Sequence, residues 1–304
     1  MLVDAGNLLF NRPRVEITRP GRVGVETMAA AYRQMKYDGV AVGPYDLAAG
    51  LDVVLTAGTL GVPWISANLA DLNGTLLFAP YRSVSIDTLR VAVIGLTSED
   101  TDPAGDYQVL SVNETLSGLL ETVSGDHDLI VVLSNGTATQ ATRLAEEFPA
   151  IDLIIGADPK RDRVPPYRTN NAVIAQCGNR GMSLGFVKAR WTGQPWGIDP
   201  EKERGRLMER LASLSWQIDR LNSRKNRDQA ASSRKMAALQ RARKQAETEL
   251  AQVTKSLATG VDGAEPSSFQ ALLIPLQQSF AEDPRIRELI DQGKQRALAE
   301  RGKE

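Results

Sequence analysis

Along residues 1–190, short apolar runs alternate with segments whose apolar positions recur every three or four residues. The runs predict strands over Leu2–Ala5, Gly39–Val42, Trp64–Ala67, Leu89–Leu96, Leu129–Leu133, Leu153–Ile155 and Val173–Ala175. The periodic segments predict helices over Gly24–Met35, Asp46–Ala57, Val112–Val123 and Thr137–Glu147. Short buried strands alternating with amphipathic helices predict a layered α/β domain. Several strands run directly into Gly or a small polar residue: Asp4-Ala5-Gly6-Asn7, Val42-Gly43-Pro44-Tyr45-Asp46, Leu133-Ser134-Asn135-Gly136 and Ile155-Gly156-Ala157-Asp158. Loops that leave strand C-termini in α/β folds converge on one face, so these corners mark the candidate site.

Residues 201–258 follow a different period. Leu207, Leu211, Leu214, Ile218 and Leu221 step by alternating fours and threes, as do Met236, Leu239, Arg243, Ala246, Leu250, Val253 and Leu257. These are two heptad seams. The polar stretch Asn222–Ser233 between them predicts an antiparallel hairpin turning within 223–233, with one continuous rod as the alternative. Leu184–Trp191 before the seams and Phe269–Gln277 after them read as strands, with Pro275 at a sheet edge or strand end. The hairpin is then an insertion between two strands. The tail opens on Glu282-Asp283-Pro284, a helix entry, and places Ile286, Leu289, Ile290 and Leu298 on one stripe.

The net charge of −1 conceals a segregation: residues 220–244 carry nine Lys and Arg against one acidic residue. No aromatic residues interleave with these cations, so they are read as contacting a protein rather than nucleic acid, with Arg224, Lys225, Arg227, Arg234 and Lys235 as the candidate partner-binding surface. A solvated coiled-coil face is the other reading of the same charges. No apolar run approaches the ~20 residues of a membrane span, and the opening residues carry no signal-peptide pattern. The chain opens inside a predicted strand, which is expected where further residues precede Met1. One cysteine, Cys177, allows no internal disulfide and reads as a small residue in a tight turn.

Six segments in order resemble the calcineurin-like metallophosphatases, specifically the UshA-like bacterial 5'-nucleotidases and UDP-sugar hydrolases. Asp4-Ala5-Gly6-Asn7 resembles the family's D-A-G-D, and the stretch from Tyr37 to Asp46 its Y-D-A-V-A-L-G-N-H-E. Val62 to Asn68 resembles F-P-x-L-S-A-N, and Val91 to Thr97 resembles I-G-I-I-G-L-T. Val131 to Asn135 is similar to I-V-L-S-H, and Ile151 to Lys160 to I-D-L-I-I-G-G-H-S-H. The resemblance implies a four-layer α/β metallophosphatase sandwich, here with an inserted coiled-coil hairpin. It divides the chain into an α/β domain over 1–199 lacking its first motif, a basic hairpin over 200–260, and a returning strand and helix over 261–304.

The family holds two metal ions at these strand ends with Asp, Asn and His side chains, and the metals activate water and clamp phosphoryl oxygens. In this chain the matching positions are Asn7, Pro44, Tyr45, Asp46, Asn135, Asp158 and Lys160, and the sole histidine, His127, matches none of them. The resemblance therefore implies a fold without its catalytic residues and without a cofactor. The retained oxygens of Asn7, Asn135 and Asp158 leave weak Ca²⁺ or Mg²⁺ binding open beside the plain reading of capping and turn residues. The expected function is a non-catalytic scaffold that presents the arm to a protein partner, with homo-oligomerisation open. The alternatives are a 5'-nucleotidase-like phosphoester hydrolase and an exported accessory domain of a larger, cytochrome-linked protein. Location by resemblance is extracytoplasmic, in the periplasm.

Overall fold

A computed structural model describes residues 1–302 except 103–104, 162–163, 179–180, 194–195, 197–199, 224–235, 238, 241–242, 245, 249, 252–253, 255–266 and 278–279. The chain forms two compact units, one of Met1–Lys188 with Gln270–Glu304 and one of Ala189–Phe269.

In the first unit, Val3–Asp4 (β1), Gly39–Ala41 (β2) and Trp64–Ile65 (β3) form a parallel sheet in that order. Arg19–Met35 (α1) and Leu51–Thr59 (α2) supply its outer cover: Val25, Ala29 and Tyr32 from α1 and Val53, Val54 and Ala57 from α2 pack on Val40, Val42 and Trp64. The small pair Leu69–Ala70 (β4) and Gln108–Val109 (β7) is antiparallel. A six-stranded sheet is built from Tyr81–Ile86 (β5), Leu89–Leu96 (β6), Leu129–Ser134 (β8), Leu153–Gly156 (β9), Val164–Thr169 (β10) and Ala172–Gln176 (β11), in the order β10-β11-β9-β8-β6-β5. Its four inner strands are parallel and its two edges antiparallel. Val112–Val123 (α3) and Ala138–Glu147 (α4) cover its outer face through Leu116, Leu120, Val123, Ala141, Leu144 and Ala145.

The two sheets meet face to face, joined by Ala67 N–H donating to the Gly95 carbonyl at 2.8 Å and the Thr97 hydroxyl donating to the Val42 carbonyl at 2.9 Å. The order of layers is helix, sheet, sheet, helix. Strand β8 is buried along its whole length because one face meets the other sheet and the opposite face meets α3 and α4. This explains why its sequence is a continuous apolar run rather than an alternation. Each such large side chain, fully buried, contributes about 1.5–3 kcal/mol.

Local chemistry moves several expected boundaries. Thr18 caps α1 by accepting from Gly21 N–H, and Pro20 sits in the first turn, so that helix starts at Arg19 rather than Gly24. Thr137 is a cap rather than a helical residue, and it exchanges hydrogen bonds with Gln140 in a capping box. The helix expected over Asp46–Ala57 is divided into a 3₁₀ turn, Asp46–Ala49, and α2, because Gly50 between them has φ of 104°. Strands β4, β5, β7 and β10 were not expected. Strand β10 carries Pro165 and Pro166, which lack N–H donors, and its register shifts between Val164 and Tyr167 as a result.

Ser183–Arg190 (β12) and Ser268–Pro275 (β13) pair as a two-stranded ribbon, and Pro275 falls at its end. In the second unit, Pro200–Ser223 (α5) buries Leu207, Leu214 and Ile218. Ala246 is buried with Leu207 and Leu214, and Leu211, Leu239 and Leu250 pack around them. Arg243, on the seam by spacing alone, is instead exposed and pairs with Glu247 at 2.8 Å, where its guanidinium keeps its water. Trp196 is buried between Trp191 and Phe269, and Thr192 N–H donates to the Ser267 hydroxyl at 3.0 Å. These contacts bring residues 191–196 beside 267–269. Val253, Leu257 and the expected turn lie outside the described residues.

The tail forms Pro284–Arg301 (α6), capped by Asp283, and packs on α1. Ile286, Leu289 and Ile290 are half-buried as expected, but Leu298 is exposed and Gly293 is the buried residue. The face that docks runs through 286, 289, 290, 293 and 297, so Leu298 falls beside it. A Cβ on Gly293 would run into the Thr27 hydroxyl and methyl on α1. In an isolated helix Gly→Ala stabilises by about 1 kcal/mol. Here the sign should invert: Gly293→Ala should lower stability in urea by about 1–3 kcal/mol through overpacking. Adding Thr27→Ala should recover part of that loss.

Candidate functional site

The C-terminal ends of β1, β2, β6, β8 and β9 meet at one edge of the two-sheet sandwich. Parallel strands leave backbone groups unpaired where they stop, and a buried unpaired group costs as much as a lost hydrogen bond. Polar side chains placed there by the strand-end corners satisfy them.

Asp46 is the most heavily used. Its carboxylate is fully buried and accepts N–H groups from Asn7 and Gly43 on one oxygen and Leu9 on the other, each at 2.8 Å. Burial pushes its carboxyl up to about 7, against the three N–H donors that favour the anion; the nearby Asp4 charge raises it further. Asn7 holds a left-handed backbone, φ 63°, which asparagine tolerates better than most residues. Its Oδ1 accepts the Tyr45 N–H at 2.9 Å, and its Nδ2 donates to the Ala157 carbonyl at 3.1 Å. The approach is so close that a Cβ on Gly43 would stand 2.5 Å from Asn7 Oδ1.

Asn135 works in the same way from β8. Its Oδ1 accepts the Ser98 N–H at 2.8 Å, and its Nδ2 donates to the carbonyls of Val42 at 3.0 Å and Ala5 at 3.3 Å. One amide thus ties the ends of strands from both sheets. Asp158 is buried; its Oδ1 accepts the Lys160 N–H at 2.8 Å, and Gln176 brackets its backbone by accepting from Asp158 N–H at 3.0 Å and donating to its carbonyl at 3.1 Å. Lys160 itself is exposed.

The structure therefore brings Asn7, Tyr45, Asp46 and Asn135 together, and links Asp158 through Ala157. Pro44 is half-buried and has no side-chain donor. His127 lies at the opposite end of the sheet, bonded through Nε2 to the Ser83 hydroxyl at 2.7 Å and through Nδ1 to the Val123 carbonyl at 2.9 Å. Cys177 is half-buried and burial pushes its thiol up, which disfavours the reactive thiolate. Arg224, Lys225, Arg227, Arg234 and Lys235 lie outside the described residues.

Sequence reasoning missed three participants. Asn68 closes a ring with Thr97, taking its N–H on Oδ1 and giving Nδ2–H to its carbonyl, both at 2.8 Å. Gln176 ends β11 and was not singled out. Asp4 is half-buried; desolvation raises its carboxyl, and it accepts from the Tyr32 hydroxyl at 2.6 Å and Gly6 N–H at 2.9 Å. Asp4 and Asn68 lie in segments that carry the resemblance, and all three are polar residues inside or just after an apolar run. Among the described residues, no group of three or more His, Cys, Asp or Glu side chains converges as a metal cage. The remaining donors are amide and carboxylate oxygens, a hard set suited to Ca²⁺ or Mg²⁺ rather than to zinc.

No family model matches the chain. Over 76 residues, 24% of the chain, it is 38% identical to a 5'-nucleotidase from Vibrio parahaemolyticus. The structure matches the calcineurin-like phosphoesterase YfkN from Bacillus subtilis with a TM-score of 0.61 at 16% identity, covering 98% of this chain and 84% of that one. It matches the sulfate thiohydrolase SoxB from Thermus thermophilus with a TM-score of 0.55 at 19% identity, covering 64% of this chain and 36% of that one. The chain thus has the fold of the calcineurin-like phosphoesterases and resembles a 5'-nucleotidase in sequence. The matched stretch spans 14% of the Vibrio nucleotidase.

The Asp46 carboxyl supplies a pH test. Its folded pKa of about 7 lies above the value near 3.9 of an unfolded chain. Its contribution to stability is therefore full below about pH 4 and lost as the pH rises through about 7. Urea unfolding from pH 4 to 8 should show this decline in the wild type, and Asp46→Asn, which does not titrate, should lack that part of the slope.

Proposed function

We propose that this chain is a non-catalytic protein on the calcineurin-like phosphoesterase fold, acting as a scaffold that presents residues 200–260 as a coiled-coil arm to a protein partner. One observation carries the first half. At the positions where the resemblance implies metal ligands, the side chains are engaged in holding the backbone: Asp46 takes three N–H groups, and Asn7 and Asn135 each tie two or more strand ends. Pro44 offers no donor, and no imidazole stands at this edge among the described residues. This set does not fit a pair of divalent ions that must each keep a position open for water and phosphate. The scaffold reading of the arm draws support from Leu207, Leu214 and Ala246, whose packing gives residues 200–260 a core of their own. Such a segment, read as a hairpin plugged between two adjacent strands, is a ready docking element. The basic character of 220–244 selects an acidic partner surface.

A second reading, a metal-dependent phosphoester hydrolase of the 5'-nucleotidase type, is favoured by the 38% identity to the Vibrio enzyme. The two readings separate in an assay. The scaffold reading expects no hydrolysis of nucleotides, UDP-sugars or bis(p-nitrophenyl) phosphate with added Mn²⁺, Zn²⁺ or Co²⁺, and well under about one transition metal per chain by elemental analysis. Turnover that survives repurification and disappears in Asp158→Ala would establish the hydrolase.

The arm has its own test. Replacing 201–258 with a short Gly-Ser turn should leave a cooperatively folding α/β unit, because the inserted segment has a separate core. Leu211→Asp should lower helical content and abolish capture of the partner while that unit persists. Collapse of the α/β unit on deletion would contradict the insertion.

A further inference from the structure

The ribbon of β12 and β13 carries an apolar face that nothing among the described residues of the first unit covers. Exposure alternates along β13, and Ser183 and Val187 are the partly covered residues of β12, so one face of the ribbon looks inward and the other outward. Gly185 looks inward, where a Cβ would stand 3.0 Å from the Cβ of Cys177. Leu276 N–H donates to the Met182 carbonyl at 2.9 Å at one end, and residue 192 meets 267 at the other, so the strands run antiparallel. Counting inward from that bond sets Met182 across from Leu276, Leu184 across from Ile274 and Phe186 across from Leu272. All six lie on the outward face. Their exposures are 63, 52, 44, 36, 47 and 46%, respectively. Singly exposed apolar residues are ordinary, but three consecutive rungs of a ladder are not. Together they leave roughly 500 Å² of contiguous apolar surface, at the upper end for a monomeric protein.

We propose that this face is a homodimer interface, covered by the same face of a second copy of the chain. Three features of the ribbon select a second copy over other occupants. The first is area: two such faces together bury about 1,000 Å² from these side chains alone, which reaches the threshold for a specific interface before any rim is counted. The second is shape. The outward face is a two-stranded ladder of Met, Leu, Ile and Phe side chains, and two ladders stack about 10 Å apart as the layers of a sandwich do. The third is charge. Lys188 is the next outward residue on β12 and is exposed. If the two copies ran their β12 strands in the same direction, both Lys188 ammonium groups would gather at one end. With the strands running in opposite directions, the cations separate to the two ends and the apolar rungs superpose. The twofold axis then passes over the central rung. Leu184 meets Leu184 of the second copy, Ile274 meets Ile274, and the Met182–Leu276 rung meets Phe186–Leu272. Such an isologous contact closes after two subunits and leaves no apolar edge to propagate.

The test uses the full chain. Sedimentation velocity over the micromolar range should show a monomer–dimer equilibrium. Phe186→Glu should move its midpoint upward by about tenfold or more, since it buries a carboxylate against the partner's Met182, and should leave the circular dichroism spectrum unchanged. If Phe186→Glu misfolds, a cross-link answers instead. In a Cys177→Ser background, a bifunctional thiol reagent spanning about 10 Å, the spacing of stacked sheets, should join Leu184→Cys between copies, whereas Lys188→Cys should not be joined. A wild type that stays monomeric across the range would overturn the proposal. A dimer indifferent to Phe186→Glu but abolished by Leu211→Asp would overturn it equally, by placing association on the arm. Cross-linking at Lys188→Cys in preference to Leu184→Cys would refute the opposed orientation.

Discussion

The two-sheet sandwich depends on how its strand ends are closed. Four inner strands of one sheet and three of the other stop at a common edge, and each leaves carbonyl and N–H groups with no further strand to pair them. Asp46, Asn135 and Asp158 are buried there. Asp46, Asn7 and Asn135 fill that need from loops, and each binds backbone from more than one strand end. Removing any one of them strands several buried polar groups at once, each with a desolvation cost of about 1–3 kcal/mol.

The same edge is where catalysis would be sited in a phosphoesterase of this fold, and the two demands compete for the same atoms. A metal ligand must direct its lone pair into open space, where an ion and its water can sit. A side chain that caps strand ends must direct it at the backbone. In this chain the amide and carboxylate oxygens follow the second course. Asp46 also shows the electrostatic consequence: a carboxylate with three N–H donors is still pushed up by burial.

On the proposed reading, binding falls to the parts beyond the sandwich. The ribbon and the helical segment joined to it are built on different physics. The ribbon exposes a ladder of apolar side chains, a non-directional surface suited to self-association. The helical segment closes its own small core around Leu207, Leu214 and Ala246, with Arg243, Lys244 and Glu247 exposed among its described residues. Long-range attraction between its cations and an acidic surface speeds encounter more than it tightens the complex once formed. On the two proposals together, a dimer would present two arms to one assembly and so gain valency.

Periodicity alone located α3 and the long inner strands β6, β8 and β9 closely, because a strand buried on both faces or a helix buried on one leaves its period in the residues themselves. It also located the corners Asn7, Asn135 and Asp158, since a small polar residue after an apolar run marks a strand turning into a loop. What it did not contain was the partner of each polar atom. Asp46 read as the first residue of a helix, and only the fold turns its carboxylate to Asn7 and Leu9, some 40 residues away in sequence. Asn68 and Gln176 were indistinguishable from ordinary turn residues until β6 and β9 arrived beside them. The docking face of α6 was misread for the same reason: hydrophobicity favoured Leu298, whereas the approach of α1 selected Gly293, the residue with no side chain. Local sequence encodes period, caps and breaks, because those are interactions within a few residues. Close approach and hydrogen-bond partnership between distant segments are properties of the packed chain, and only the tertiary structure decided them.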